Sequence, residues 1–80
     1  MSSTNSKEKD KFLKALGVHV KKVRRSAAFS QDDVYLQGEL SRATMSRIEH
    51  GSVDVQIWTL KRVADTIGVP LKKLLDFDMD

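Results

Sequence analysis

The side chains from which catalysis or metal binding would be built are two histidines, His19 and His50, eleven carboxylates and a scatter of serines and threonines. Neither histidine has metal-ligand spacing to a carboxylate, the chain has no cysteine to supply a thiolate, and no glycine-rich segment could cradle a phosphate. Ser, His and Asp all occur, but nothing positions a nucleophile in a pocket, and 80 residues make one small core. The expectation is a non-enzyme with no metal, no cofactor and no small-molecule ligand. Recognition by charge and hydrogen bonding is what remains, and the basic side chains are the groups that would do it.

Those charges are unevenly spread. Residues 1–28 hold eight basic side chains against two acidic ones, a net +6, and residues 29–40 hold three acidic ones, −3. Residues 41–62 have four basic against two acidic, +2, and residues 63–80 have two against four, −2. The formal total of +3 conceals this polarity. A partner bearing phosphates would match it, and so would an ordinary solvated helix face. The opening residues 1–11 contain no apolar run, and no later run approaches the roughly 20 residues of a membrane span, so the expected location is the cytoplasm.

The elements that must hold these groups read as all-α, with one proline, four glycines and almost no alternating β-branched run. Asn5 and Glu8 have the spacing of a capping box ahead of helix 1, on which Phe12, Leu16, Val20, Val23 and Ala27 form one stripe. Ser30 would cap a short helix 2 over 31–38, with Asp32 and Asp33 in its first turn. Ser41 would cap helix 3, which runs to His50, stops at Gly51 and turns Met45 and Ile48 inward. Helix 4 is expected to begin near Asp54 or Gln56, with Ile57, Leu60, Val63, Ala64 and Ile67 on its core face, and Pro70 opens a last short helix containing Leu71, Leu74 and Leu75.

Within residues 30–51, two short helices about three residues apart, each with its own hydroxyl cap, describe a helix-turn-helix, although a plain αα-corner shares the spacing. A helix-turn-helix holds its second helix proud of the surface, where it fits the major groove of DNA.

These residues resemble the phage-repressor or XRE type of helix-turn-helix proteins (Cro/CI-like) over positions 12–75. LGVHVKKVR at 16–24 is similar to the family's first helix and FSQ at 29–31 to the start of its second. SRATMSRIEHG at 41–51 resembles its recognition helix, and TLKRVADTIGVPLKKLL at 59–75 its fourth and fifth helices. The resemblance implies an all-α, five-helix lambda-repressor-like domain over 12–75, a polar arm at 1–11 and an acidic tail at 76–80. It also implies base contacts by Arg42, Ala43 and Arg47, and backbone contacts by Gln31, Ser41, Thr44 and Ser46. Arg pairs with guanine O6 and N7, and an alanine methyl can touch that of thymine. Arg24 and Glu49 fall at the family's structural ion pair.

The sequence departs from the pattern at Tyr35, where Ala is usual, at Gly38, usually Leu or Ala, at Glu39, commonly Gly, and at Val55, commonly Pro. Tyr35 is too large for a tight helix crossing, so Gly38 is expected to give room or helix 2 to tilt. Glu39, if held at positive φ, would cost about 1 kcal/mol.

Trp58, off the helix 4 stripe, and the apolar Leu71, Leu74 and Phe77 are expected at a two-fold dimer interface, an arrangement the resemblance supports. The function implied is a homodimeric, sequence-specific regulator of transcription bound to double-stranded DNA at a pseudo-palindromic operator. Small proteins of this build include phage repressors, restriction-modification controller proteins and antitoxins, and the controller type fits the length. The alternative is a protein-binding adaptor or antitoxin that grips a partner through its C-terminal helices.

Overall fold

The computed structural model describes residues 3–38 and 40–78, with side chains from residue 6 onward. The helices are α1 (Ser3–Ser26), α2 (Gln31–Gly38), α3 (Arg42–His50), α4 (Ile57–Ile67) and α5 (Leu71–Leu75), and no strand occurs among the described residues. The all-α, five-helix expectation is therefore met. None of these helices is long and apolar enough to cross a membrane. Glu39 and the last two residues of the chain, 79 and 80, lie outside the described residues, so the turn strain considered for Glu39 has no structural counterpart here.

Local chemistry sets most helix ends. Ser30 and Asp33 form a reciprocal cap: the Asp33 N–H donates to Ser30 Oγ at 3.0 Å and the Ser30 N–H donates to Asp33 Oδ2 at 2.8 Å. Ser41 Oγ accepts from the Thr44 N–H at 3.0 Å, and α3 ends at Gly51 in the left-handed conformation. Helix α1 closes through Ala28, which sits at φ 64°, while the Phe29 N–H returns to the Arg24 carbonyl at 3.1 Å.

The start of α1 differs from the expectation. The helix begins at Ser3, so Asn5 lies inside it instead of capping it, and the polar residues up to Lys11 continue the helix. Lys and Glu are good helix formers and no breaker interrupts them, while Lys9 reaches Asp54 at 3.3 Å.

The core is built from Leu13, Leu16, Val20 and Val23 of α1, Val34 of α2, Leu40 between α2 and α3, Met45 and Ile48 of α3, Leu60, Val63, Ala64 and Ile67 of α4, and Leu74 of α5. Leu13, not Phe12, leads the α1 stripe. Phe12 is 43% exposed and packs instead against Phe77, their ring centroids 5.5 Å apart. Ile57 is likewise 60% exposed, because it occupies the first turn of α4, ahead of the level where other helices cover that face.

Helix α1 lies across α3 and α5, and α4 packs on α2 and α5. Gly17 permits the first contact: a β-carbon there would stand 2.4 Å from the Ile48 carbonyl oxygen and 2.6 Å from that of Glu49, so the α1 backbone rests directly on the end of α3. The reading of Tyr35 and Gly38 is corrected. Tyr35 is not at a crossing but on the outer face of α2, and the space at Gly38 is taken by Thr66 of α4, whose Oγ1 would lie 2.4 Å from an added β-carbon. Arg62 Nη2 donates to the Gly38 carbonyl at 3.1 Å and ties the end of α2 to α4.

Candidate nucleic-acid interface

Helix α3 divides cleanly into two faces. Met45, Ile48 and Glu49 are buried, while Arg42, Ala43, Arg47 and His50 are exposed and Thr44 and Ser46 half-buried. Its period of 3.6 residues brings Ala43, Arg47 and His50 onto one outward stripe, with Arg42 and Ser46 along its flank. The presented surface thus carries two guanidinium groups, the Ala43 methyl and the His50 imidazole, with the half-buried hydroxyls of Thr44 and Ser46 beside them.

The inward face is held by a polar network. Arg24 of α1 meets Glu49 of α3 as a fork, Nε to Oε2 at 2.6 Å and Nη2 to Oε1 at 3.0 Å, with both side chains buried. Arg24 Nη1 donates to the Phe29 carbonyl at 2.7 Å, and Gln31 Nε2 donates to Glu49 Oε1 at 2.9 Å. Three helices are thereby bound at one carboxylate, and no buried side-chain polar atom among the described residues lacks a partner. Only the family resemblance pairs Arg24 with Glu49 in advance of the structure. That Gln31 joins them was missed, because nothing local marks a glutamine at a helix start as a ligand of a residue 18 positions away.

The hydroxyls of α3 are organised from within the helix. Ser41 Oγ and Thr44 Oγ1 are 2.8 Å apart, and His50 Nδ1 donates to the Ser46 carbonyl at 2.7 Å. Asp33, at the start of α2, has its carboxyl held below the ordinary aspartate value by the Ser30 N–H and then by the Ser30 hydroxyl.

Open grooves flank α3. One, of about 550 Å³, is lined by Val18, Lys21, Lys22, Arg25, Gln31 and His50 among others. The other, of about 230 Å³, runs past Thr44 and Arg47 to Val53, Gln56 and Thr59. The first is strongly basic and the second largely neutral. Arg42 lies beside α2, with Nη1 3.2 Å from Asp32 Oδ1 and Cζ 5.9 Å from the centre of the Tyr35 ring. Sequence reasoning had noted Asp32 only as a first-turn charge and Tyr35 only as a misfit.

The expected interface residues separate. Trp58 is 65% exposed at the start of α4. Leu74, by contrast, is fully buried within the chain's own core, so its expected place at a dimer surface is corrected: the face of α5 that carries it closes against α1 and α4. Leu71 and Phe77 are half-buried and pack against the same core, Phe77 also lying 5.6 Å from the His19 ring. The His19 ring in turn holds the Lys73 carbonyl through Nε2 at 2.8 Å.

A scan against protein-family models finds no matching family, and a search of curated proteins returns no match. Solved structures do match. The restriction-modification controller protein C.AhdI from Aeromonas hydrophila is similar over 78% of this chain and 94% of its own, with TM-score 0.73 and 19% identity. The controller protein C.Esp1396I, solved as a tetramer in complex with its natural 35 base-pair operator, is similar over 81% of this chain and 96% of its own, with TM-score 0.68 and 23% identity. The chain therefore has the fold of the restriction-modification controller proteins, with its helix-turn-helix formed by α2 and α3.

Proposed function

We propose that this protein is a cytoplasmic, non-catalytic regulator of transcription that binds double-stranded DNA in a sequence-specific way, as a homodimer on a pseudo-palindromic operator. The observation that carries the reading is the two-faced α3. Its exposed stripe offers Arg42, Ala43 and Arg47, while the Arg24, Glu49 and Gln31 network fixes the helix from behind. Guanine edges accept a bidentate Arg, and the Ala43 methyl suits a thymine methyl. Ser41, Thr44, Ser46 and the second N–H of the Gln31 amide serve phosphate oxygens on either side, contacts that position the protein without reading sequence. The controller protein solved on its operator has the same fold, which supports this assignment.

With two copies related by a two-fold axis, the recognition helices read half-sites about one helical turn, roughly 34 Å, apart. Occupancy is then governed by protein concentration through dimerisation. A partner-binding adaptor is not favoured, because Leu74 is spent in the core and Leu71 and Phe77 are packed against it. Selection from randomised duplexes at moderate salt tests the reading: it is expected to return two symmetric half-sites, and recovery of no preferred sequence would sink it.

A further inference from the structure

Arg42 is the first residue of α3, and its side chain does not extend freely into solvent. Its guanidinium is met by two residues of α2, Asp32 at 3.2 Å from Nη1 and Tyr35 with its ring centre 5.9 Å from Cζ. Asp32 and Tyr35 are three positions apart, hence neighbours on one helix face, so carboxylate and ring form a bracket. Arg42 and Asp32 are about two-thirds exposed, at 66% and 63%, and a pair so exposed adds little to fold stability. What the bracket does change is where the guanidinium points.

We propose that Asp32 and Tyr35 are positioning residues for Arg42, which steer its guanidinium toward base edges and away from the phosphate backbone. The inference rests on the DNA-binding reading above. Among the described residues Asp32 supplies the one hydrogen-bond partner of the Arg42 guanidinium, at Nη1, leaving Nε and Nη2 to face a ligand. A guanine presents O6 and N7 side by side and suits such a fork, whereas a free arginine at the rim of a groove is drawn to the nearest phosphate. Asp32 also repels phosphate oxygens, and the Tyr35 ring limits the swing of the guanidinium across α2. Together they weaken binding to any duplex and sharpen the choice among duplexes. Tyr35, a departure from the usual small residue, gains a role at the rim that it lacks in the core.

The test compares affinity for a selected duplex and for random duplex across a salt series, in the full chain and in Asp32→Ala, Asp32→Glu, Tyr35→Leu, Arg42→Ala and Asp32→Ala/Arg42→Ala. Asp32→Ala is expected to bind random duplex several-fold more tightly, to steepen its log–log salt dependence by about 0.9 as Arg42 takes up a phosphate, and to lower the selected-to-random ratio about tenfold. Tyr35→Leu should lower the ratio by a smaller factor, Asp32→Glu should restore it, and in the Arg42→Ala background Asp32→Ala should leave it unmoved. An unchanged ratio and slope in Asp32→Ala, or an equal fall of the ratio with Arg42 absent, overturns the positioning role alone. A wild-type chain that prefers no duplex overturns the DNA reading and this inference with it.

Discussion

Arg24 and Glu49, 25 positions apart in the chain, meet as a buried two-point fork at the junction of α1 and α3, closed by hydrogen bonds from Arg24 to the Phe29 carbonyl and from Gln31 to Glu49. Removing one partner leaves an uncompensated charge in the interior. Arg24→Ala or Glu49→Ala is expected to lower stability by about 3–5 kcal/mol, read by urea denaturation. Gln31→Ala should cost about 1–3 kcal/mol, because Glu49 keeps Arg24. A loss under about 1 kcal/mol in Glu49→Ala would show that the fork does not hold α3.

Gly17 should tolerate no side chain. The β-carbon of Gly17→Ala would collide with two backbone carbonyl oxygens of α3, and neither can rotate aside as a flexible side chain could. Ala favours a helix by about 1 kcal/mol over Gly, yet the variant is expected to lose at least about 2 kcal/mol, since α1 must lift from α3. Thermal unfolding measures the sign directly, and stabilisation would contradict the close approach.

Asp33 predicts a contribution in the acid limb of stability. Its folded-state carboxyl titrates below the ordinary aspartate value of about 3.9, so the stabilisation is full above that value and is lost as the pH falls through the lower, folded value. Denaturant melts of wild type and Asp33→Ala should differ most near neutrality and converge in strong acid. A difference that instead grows on acidification would reverse the assignment.

Trp58 and Leu74 should separate assembly from folding. In the homodimer proposed above, Trp58→Ala removes an exposed ring and is expected to raise the dissociation constant at least tenfold in sedimentation equilibrium, with little change in monomer stability. Leu74→Ala opens a cavity in the core and should cost about 2–5 kcal/mol of stability. Unchanged dimerisation in Trp58→Ala would move the interface elsewhere.

Much of this molecule is decided locally. Caps at Ser30 and Ser41 come from side chains bonding to backbone groups three residues away, and the stop at Gly51 from the left-handed backbone that glycine adopts readily, so they are legible in the linear chain. The outward set on α3 follows equally from its period, once Met45 and Ile48 are taken as core. What escaped sequence reasoning depends on distant partners. Phe12 and Leu13 fit the same apolar stripe within one residue, and only the packing of α1 across α3 and α5 made Leu13 the buried one. Leu74 could have faced a second protomer until α1 and α4 enclosed it, and a glycine at 17 carries no mark of the carbonyls pressed against it. The bracket of Asp32 and Tyr35 around Arg42 exists because the turn brings α2 and α3 together at that angle. Residue types and their periodicity determined the helices and the face of α3 turned to solvent; contact between helices decided which side chains became core, which became surface, and how the arginine that opens α3 is held.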